Sequence, residues 1–145
     1  GIVQVRRGVM PDECSHWTLP RIVGLERAAS LLLTGRKIEG PEAERLGLAL
    51  RSVPEEEVLA VATEIARDIA ENVAPLSAAI SKRLLWQSSS LSADEVERAE
   101  TQLHHHLMGA PDAIEGGAAW LERRSPRWTL RVSENWPEWP DVKTR

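Results

Sequence analysis

The chain has 145 residues, of which 42% are hydrophobic, and a formal net charge of -4 at pH 7. This length and composition are enough for one folded domain of ordinary size with a substantial core. The acidic balance argues against a nucleic-acid-binding protein, which needs a clustered cationic surface. We find neither a signal-peptide pattern nor a long apolar run, and we therefore expect a cytoplasmic protein without a membrane partner.

Cysteine and the aromatic residues are distributed unusually in this chain. The single cysteine, Cys14, cannot form an internal disulfide or a zinc site with several cysteines, which suits a reducing compartment. There are six tryptophans and neither tyrosine nor phenylalanine. Three of the tryptophans lie in the proline-rich stretch 125–145, which no core argument requires and which we predict to be irregular.

Hydrophobic periodicity predicts a mostly α-helical chain with one or two short strands. The alternating, β-branched residues 2–5 and the run 48–53 are the strand candidates. Helices are predicted at 14–23, at 25–34, from Pro41 to Gly47, from Pro54 to Val73, and after Pro75. In the long helix, apolar residues recur every three or four positions, which predicts one buried face.

Two further helix starts follow from capping-box spacing, in which two side chains satisfy each other's free backbone donors. Ser92 with Glu95 predicts a helix that begins near residue 93, and Asp112 with Glu115 predicts one that begins near residue 113. Gly109 lies between these two helices, and we expect the chain to break there.

The stretch 6–47 carries the only spacing from which a chemistry can be inferred. It contains, in order, RRG, PD, SHW, LPRIVG, SLLLTGRKIE and the beginning of PEAERLGLA. This order resembles the second half of the crotonase (enoyl-CoA hydratase/isomerase) superfamily, especially the branch that reads roughly RRG, PE, SSW, LPR. A weaker likeness continues through PLSAAISKRLL and PDAIEGGAAWLERRSPRW, so the resemblance covers about residues 1–128.

The resemblance implies the C-terminal part of an α/β crotonase (ClpP/crotonase-like) spiral fold. Residues 1–53 would be the end of the core with the active-site turn, 54–124 the helical trimerisation region, and 125–145 a tail. Because the chain starts at Gly1 and the likeness begins in mid-protein, we expect an N-terminal half of the same protein outside these residues. In the family, that half supplies the two backbone N–H groups that stabilise the enolate oxygen. These 145 residues alone should therefore be inactive.

Asp12 is the predicted catalytic residue. In crotonase relatives that move a double bond, the acid of the PE element acts as a base on the acyl chain, and Asp12 occupies the matching position. A carboxylate in an apolar pocket suits that task, because desolvation raises its pKa towards neutrality. The alternative is an ordinary turn or cap aspartate. Glu13 could substitute for Asp12, although we expect it to be solvated.

Gln4 limits which reaction is expected. Hydratases of the superfamily use two glutamates, and an ungapped alignment places the second of them on Gln4, which cannot transfer a proton. A single-carboxylate shuttle, in which Asp12 both removes and returns the proton, therefore fits better than hydration with two glutamates. A register shift of one residue near the start of the chain is the alternative explanation.

Four further residues are predicted to bind substrate: Cys14, Trp17, Trp120 and Arg123. Cys14 is expected to line the pocket, since its only local base is His16, and Ser15 is expected to cap the following helix. In the crotonase relatives that this chain resembles, a basic residue at the position of Arg123 can contact the nucleotide end of CoA. The alternative is that Arg123 and Arg124 are solvated cations that the helix dipole favours.

No metal site is predicted. His104, His105 and His106 are consecutive on a predicted helix, where successive side chains point about 100° apart, so they cannot chelate one metal. We expect a partly exposed or subunit-facing trio.

The functional hypothesis is an acyl-CoA-processing enzyme of the crotonase family, an enoyl-CoA isomerase or hydratase-like enzyme of fatty acid or carboxylic acid catabolism. It would form a homotrimer or hexamer and need no cofactor, with a CoA thioester as substrate. The alternative is a non-catalytic crotonase relative that serves as a CoA-binding or assembly module. A free-standing helical interaction domain would leave the motifs between Arg6 and Leu48 unexplained.

Overall fold

Two groups of helices, each with its own hydrophobic core, form the chain in the computed structural model, which describes residues 1–142. The first compact unit is Gly1–Ala60 and the second begins at Val61. The helices are α1 Ser15–Val23, α2 Leu25–Thr34, α3 Gly40–Leu46, α4 Val58–Asn72, α5 Pro75–Ser88, α6 Ala93–Met108, α7 Pro111–Glu122 and α8 Val132–Asn135. Short 3-10 turns occupy Gln4–Arg7 and Glu55–Glu57.

Helices α1 and α2 pack together and form the core of the first unit with the end of α3. The buried residues are Leu19, Val23, Ala28, Leu31, Leu32 and Leu46. Gly35 ends α2 in the left-handed region (φ 59°), and its N–H donates to the carbonyl of Leu31. A β-carbon here would lie 3.0 Å from the side chains of Val5 and Arg6, so both conformation and space require glycine. The predicted helix 25–34 with its glycine end is confirmed.

Helices α5 and α6 form the core of the second unit. The buried residues are Leu76, Ile80, Leu84, Ala99 and Leu103. The predicted capping box at the start of α6 is confirmed. The Ser92 hydroxyl accepts the N–H of Glu95 at 3.3 Å, and the Glu95 carboxylate accepts the N–H of Ser92 at 2.7 Å.

The strand predictions are wrong, since residues 1–142 contain no strand. Residues 4–7 form a 3-10 turn, in which the N–H of Arg6 donates to the carbonyl of Val3 at 3.1 Å. In the run 48–53, the N–H of Ser52 donates to the Glu44 carboxylate at 2.7 Å. Alternation alone cannot make a strand stable, because its backbone groups need a neighbouring strand as partner.

The capping box predicted at Asp112 and Glu115 is also wrong. Helix α7 starts two residues earlier than predicted, with Ala110 as its N-cap and Pro111 in the first helical turn. Proline is well tolerated there, because the first N–H groups of a helix have no partner within it. The carboxylates of Asp112 and Glu115 instead bind residues beyond the end of α7.

Two burial predictions also differ from the structure. No residue of α4 is buried, so the apolar face predicted to be covered is open in this chain. Conversely, the tail contributes to a core, because Trp136 and Trp139 pack against the buried residues of α5 and α6. The tail is irregular apart from α8, and the last three residues of the predicted segment 125–145 lie outside the described residues.

The predicted division of the chain into an active-site region, a trimerisation region and a tail, with boundaries at residues 53 and 124, stays a prediction. The two compact units are defined by their packing and not by these functional roles. In the described part of the chain, no helix has both the length and the apolar composition needed to span a membrane.

Candidate active site

The predicted catalytic residue lies in a tight turn directly before α1. Pro11 is fully buried and fixes one end of the turn, whereas Asp12, Glu13 and Cys14 are exposed. The turn is closed by Ser15, whose N–H and hydroxyl both donate to the carbonyl of Asp12, at 3.0 and 2.6 Å. Asp12 is therefore held by its backbone at a defined position, with its side chain on the surface.

The two central residues of this turn have an unusual backbone. Glu13 (φ 51°) and Cys14 (φ 56°) are both left-handed, although neither is glycine. Such a conformation costs roughly 1 to 2 kcal/mol for each residue. Left-handed residues other than glycine persist only where the surrounding structure enforces them, and they cluster at functional sites. The strain thus singles out this turn among the loops of the first unit.

Ser15 does not cap α1 as predicted, because its hydroxyl closes the turn instead. The N-cap is Cys14, whose carbonyl accepts the N–H groups of Trp17 and Thr18 at 3.0 and 2.9 Å. Cys14 carries a free, exposed thiol in the same turn as Asp12, and its role as a pocket residue stays a prediction. Within residues 1–142 it forms no hydrogen bond to His16.

Trp17 lies on the first turn of α1 and is 48% exposed. The guanidinium of Arg21 stacks over its ring at 3.9 Å, and the same group donates to the Trp17 carbonyl at 2.7 Å. Arg21 is a neighbour of the site that was not predicted from the sequence. Its spacing of four residues from Trp17 on a helix was the available signal.

Gln4 is half-buried in the first 3-10 turn, and its carbonyl accepts the N–H of Val9 at 3.3 Å. The neighbouring Arg6 side chain donates to the carbonyl of Thr34 at the end of α2, at 2.6 Å. These bonds fix the segment that leads into the Asp12 turn. In the described residues, the Asp12 carboxylate has no hydrogen-bond donor and is exposed, so the apolar pocket expected around it is not formed by this unit.

The second group of predicted site residues, Trp120 and Arg123, lies at the end of α7 in the second compact unit. Trp120 is 79% exposed. Arg123 closes the helix in a left-handed conformation (φ 54°). Its side chain is exposed and makes no ion pair within residues 1–142. Arg123 is thus available to a ligand.

Arg124 has a different role from its neighbour. Its guanidinium binds the Glu115 carboxylate at 2.5 and 3.0 Å and the Glu122 carboxylate at 2.6 Å. The hydrogen bond from Arg124, followed by that from the Arg127 N–H, lowers the pKa of Glu115 to about 2. The same pairing raises the pKa of Arg124 above its usual range. Arg124 therefore stabilises the end of α7, and of these two arginines only Arg123 has a guanidinium without an ion pair in the described residues.

The three histidines of α6 are all exposed. The rings of His104 and His105 lie 6.3 Å apart and are tilted by 54°. In the part of the chain that the structure describes, no group of three histidine, cysteine, aspartate or glutamate side chains is placed to hold a metal ion.

Comparison with known proteins identifies the family. The family model described as Enoyl-CoA hydratase/isomerase matches residues 1–131, and this chain belongs to that family. A crystal structure of a probable enoyl-CoA hydratase/isomerase from Mycobacterium abscessus is 50% identical, with a TM-score of 0.83 over 90% of this chain and 53% of that one. The helical architecture described above is therefore part of the crotonase fold.

Named relatives cover more than one reaction. "Probable enoyl-CoA hydratase, mitochondrial" of Dictyostelium discoideum is 34% identical over 88% of this chain and 46% of its own length. Carnitinyl-CoA dehydratase of Proteus mirabilis is 33% identical over 88% of this chain and 50% of its own length. The chain thus spans about half the length of these relatives, whose names both refer to a CoA compound, enoyl-CoA in one and carnitinyl-CoA in the other.

Proposed function

We propose that this chain supplies the catalytic carboxylate and part of the CoA-binding surface of an enoyl-CoA isomerase or hydratase-like enzyme. The observation that carries the proposal is the strained turn that presents Asp12 before α1 in a member of the enoyl-CoA hydratase/isomerase family. The sequence places an acid here, and the structure has two left-handed residues directly after it.

The reaction that suits one carboxylate is a double-bond shift. Asp12 removes a proton from the α-carbon of a 3-enoyl-CoA, and the electron pair delocalises onto the thioester oxygen as an enolate. Asp12 then returns the proton to the γ-carbon, and the double bond moves to the 2-position. No atom is gained or lost, and no cofactor is needed. Because Gln4 cannot transfer a proton, this route is favoured over hydration with two glutamates.

The site needs parts beyond these 145 residues. The backbone donors that stabilise the enolate belong, by the family resemblance, to the N-terminal half of the fold. The exposure of Asp12 supports this, because a base for such a weak carbon acid has to be shielded from water. We propose that the N-terminal half covers the Asp12 turn.

Arg123 and Trp120 are proposed to contact the nucleotide part of CoA. Arg123 has a free guanidinium and Trp120 an exposed ring, which suit a phosphate and an adenine respectively. Cys14 and Trp17 are proposed to line the acyl side of the site next to Asp12. The cytoplasmic location and assembly as a trimer or hexamer remain proposals, the latter supported by the open apolar face of α4.

A non-catalytic, CoA-binding role is the second candidate, and Gln4 is the observation that favours it. The two candidates differ in whether removing the carboxylate of Asp12 has a chemical effect. A non-catalytic protein would still bind CoA and would tolerate Asp12→Asn without consequence.

The test uses an enzyme in which the N-terminal half of the fold accompanies these 145 residues. Isomerisation of 3-enoyl-CoA and hydration of 2-enoyl-CoA are measured for wild type, Asp12→Asn and the matched control Glu13→Gln. We expect Asp12→Asn to lower kcat for isomerisation by at least a factor of about 100, and Glu13→Gln to retain most of it. Equal activity in wild type and Asp12→Asn would refute Asp12 as the base. Absence of both activities, with CoA still bound, would favour the non-catalytic role.

A further inference from the structure

Arg21 and Trp17 contact each other in two ways on α1, close to the turn that carries Asp12. The Arg21 guanidinium lies 3.9 Å from the centre of the Trp17 ring. The same guanidinium donates to the Trp17 carbonyl at 2.7 Å. A cation over the face of a tryptophan ring is attracted by the ring electrons, and the planar guanidinium of arginine suits such stacking. Arg21 therefore binds both the side chain and the main chain of Trp17.

The part of α1 between these two residues lacks a backbone donor. Pro20 lies inside the helix, and proline has no N–H to donate to the carbonyl four residues earlier, which is that of His16. The Arg21 side chain adds a hydrogen bond to the next carbonyl along the chain, that of Trp17. Arg21 thus strengthens the part of α1 that a proline weakens.

Backbone hydrogen bonds connect Trp17 to the turn of Asp12. The N–H of Trp17 donates to the Cys14 carbonyl at 3.0 Å, and the N–H of Ser15 donates to the Asp12 carbonyl at 3.0 Å. These bonds fix the first turn of α1 relative to the Asp12 turn. The Trp17 ring is 48% exposed, and Arg21 covers one of its faces. A ligand would therefore pack against the other face or the edge of the ring.

We propose that Arg21 is a positioning residue, which holds the Trp17 ring as a wall for the acyl chain of the substrate. The inference rests on the proposed function, in which Trp17 lines the acyl side of the site, and it adds the residue that fixes this wall. A ring that is already held loses less side-chain freedom when a substrate packs against it. Arg21 therefore favours the binding of acyl chains long enough to reach the ring, and leaves proton transfer at Asp12 unchanged.

Binding of saturated acyl-CoA tests this inference without any proton transfer. Octanoyl-CoA and acetyl-CoA are titrated by calorimetry into an enzyme in which the N-terminal half of the fold accompanies these residues. We expect Trp17→Ala to raise the Kd of octanoyl-CoA by about tenfold or more, and Arg21→Gln to raise it roughly two- to fivefold. The Kd of acetyl-CoA should be unchanged, which also shows that the variants are folded. Arg27→Gln, at an exposed arginine of α2, is the matched control and should alter neither Kd.

The double variant Trp17→Ala/Arg21→Gln tests whether Arg21 acts through the ring. In the Trp17→Ala background, Arg21→Gln should not raise the Kd of octanoyl-CoA further, because the two residues act as one unit. Arg21→Lys keeps the cation without the planar guanidinium, and should restore part of the binding that Arg21→Gln loses. In the isomerisation of 3-octenoyl-CoA, Arg21→Gln should raise KM and leave kcat unchanged.

Three results would overturn the inference: an equal effect of Arg21→Gln with and without the Trp17 ring, an equal loss of binding for octanoyl-CoA and acetyl-CoA, or a fall in kcat with unchanged KM. The test of Asp12 is separate from this one. Isomerisation that survives Asp12→Asn would refute the proposed base, whereas coupling between Arg21 and Trp17 in octanoyl-CoA binding would still support the positioning role. A wild-type enzyme that binds neither acyl-CoA would contradict both proposals.

Discussion

The buried carboxylate of Asp112 accepts the backbone N–H and the hydroxyl of Thr129, which follows it by 17 residues, at 2.8 and 2.9 Å. This pair joins the first turn of α7 to the segment beyond its end. Asp112 and Glu115 have the spacing of a capping box, but the Asp112 carboxylate binds Thr129 and does not cap α7. This hydrogen bonding should contribute to the free energy of unfolding of the second unit.

Replacing Asp112 by alanine should destabilise the second unit by roughly 1 to 3 kcal/mol, because the N–H groups of Thr129 and Leu130 would lose their acceptor. Thr129→Val removes only the hydroxyl bond and should cost about 1 kcal/mol. Urea unfolding followed by circular dichroism measures both changes. The exposed Thr101→Val on α6 is the control. Equal stability of Asp112→Ala and wild type would contradict the assignment.

Replacing the adjacent glycines of α7, Gly116 and Gly117, by alanine should change stability by different amounts. A β-carbon at Gly117 meets no atom within 4 Å, whereas one at Gly116 would lie 3.3 Å from the Trp128 ring. Gly117→Ala should therefore stabilise the chain by up to about 1 kcal/mol through helix propensity. Gly116→Ala should gain less or lose stability. Thermal unfolding of the two variants measures the difference, and a more stable Gly116→Ala than Gly117→Ala would contradict the close approach of Trp128 to Gly116.

The strained turn predicts that Cys14→Gly stabilises the first unit. Glycine adopts the left-handed conformation at Cys14 (φ 56°) without steric cost, although it loses more backbone entropy on folding. We expect a net gain of about 0.5 to 1 kcal/mol in the free energy of unfolding. Cys14→Ser is the control, since it removes the thiol and keeps the strain. If serine and glycine gave the same stability, the backbone would not be strained as described.

The pairing of Glu115 predicts an acid-dependent stability. Its pKa is lowered in the folded state from 4.5 to about 2, so the unfolded chain binds a proton more readily in that range. The stabilisation is present above pH 4.5 and is lost as the pH falls towards 2. Glu115→Gln should therefore flatten the decline in unfolding free energy over this interval. Glu97→Gln on the exposed face of α6 should leave the slope unchanged, and the same slope in all three proteins would contradict the pairing.

Local signals in the sequence predicted the elements whose stability is local. The glycine end of α2 and the capping box at Ser92 involve residues within four positions of each other, and both are found as predicted. The strands failed for the opposite reason, because residues 48–53 read as a strand only if a partner is present.

Long-range contacts explain the other predictions that were wrong. Asp112 and Glu115 have a capping-box spacing, but their carboxylates bind Thr129 and Arg127, and no sequence pattern within α7 predicts these contacts. Likewise, the partial burial of Trp136 and Trp139 depends on α5, which lies about 50 residues earlier in the chain.

At the candidate site, the order of the motifs located Asp12 but not the left-handed backbone after it, since neither Glu13 nor Cys14 is a residue that favours that conformation.

Transfer of deuterium within the substrate tests the proposed role of Asp12 most directly, because in the proposed shuttle the proton removed from the α-carbon is the one returned to the γ-carbon. A 3-enoyl-CoA deuterated at the α-carbon is incubated in H₂O with an enzyme in which the N-terminal half of the fold accompanies these residues, and deuterium at the γ-carbon is followed by NMR. Wild type and Glu13→Gln should transfer deuterium, and Asp12→Asn should lower the rate of transfer by at least about 100-fold. Undiminished transfer with Asp12→Asn would contradict the proposal and would place the base elsewhere.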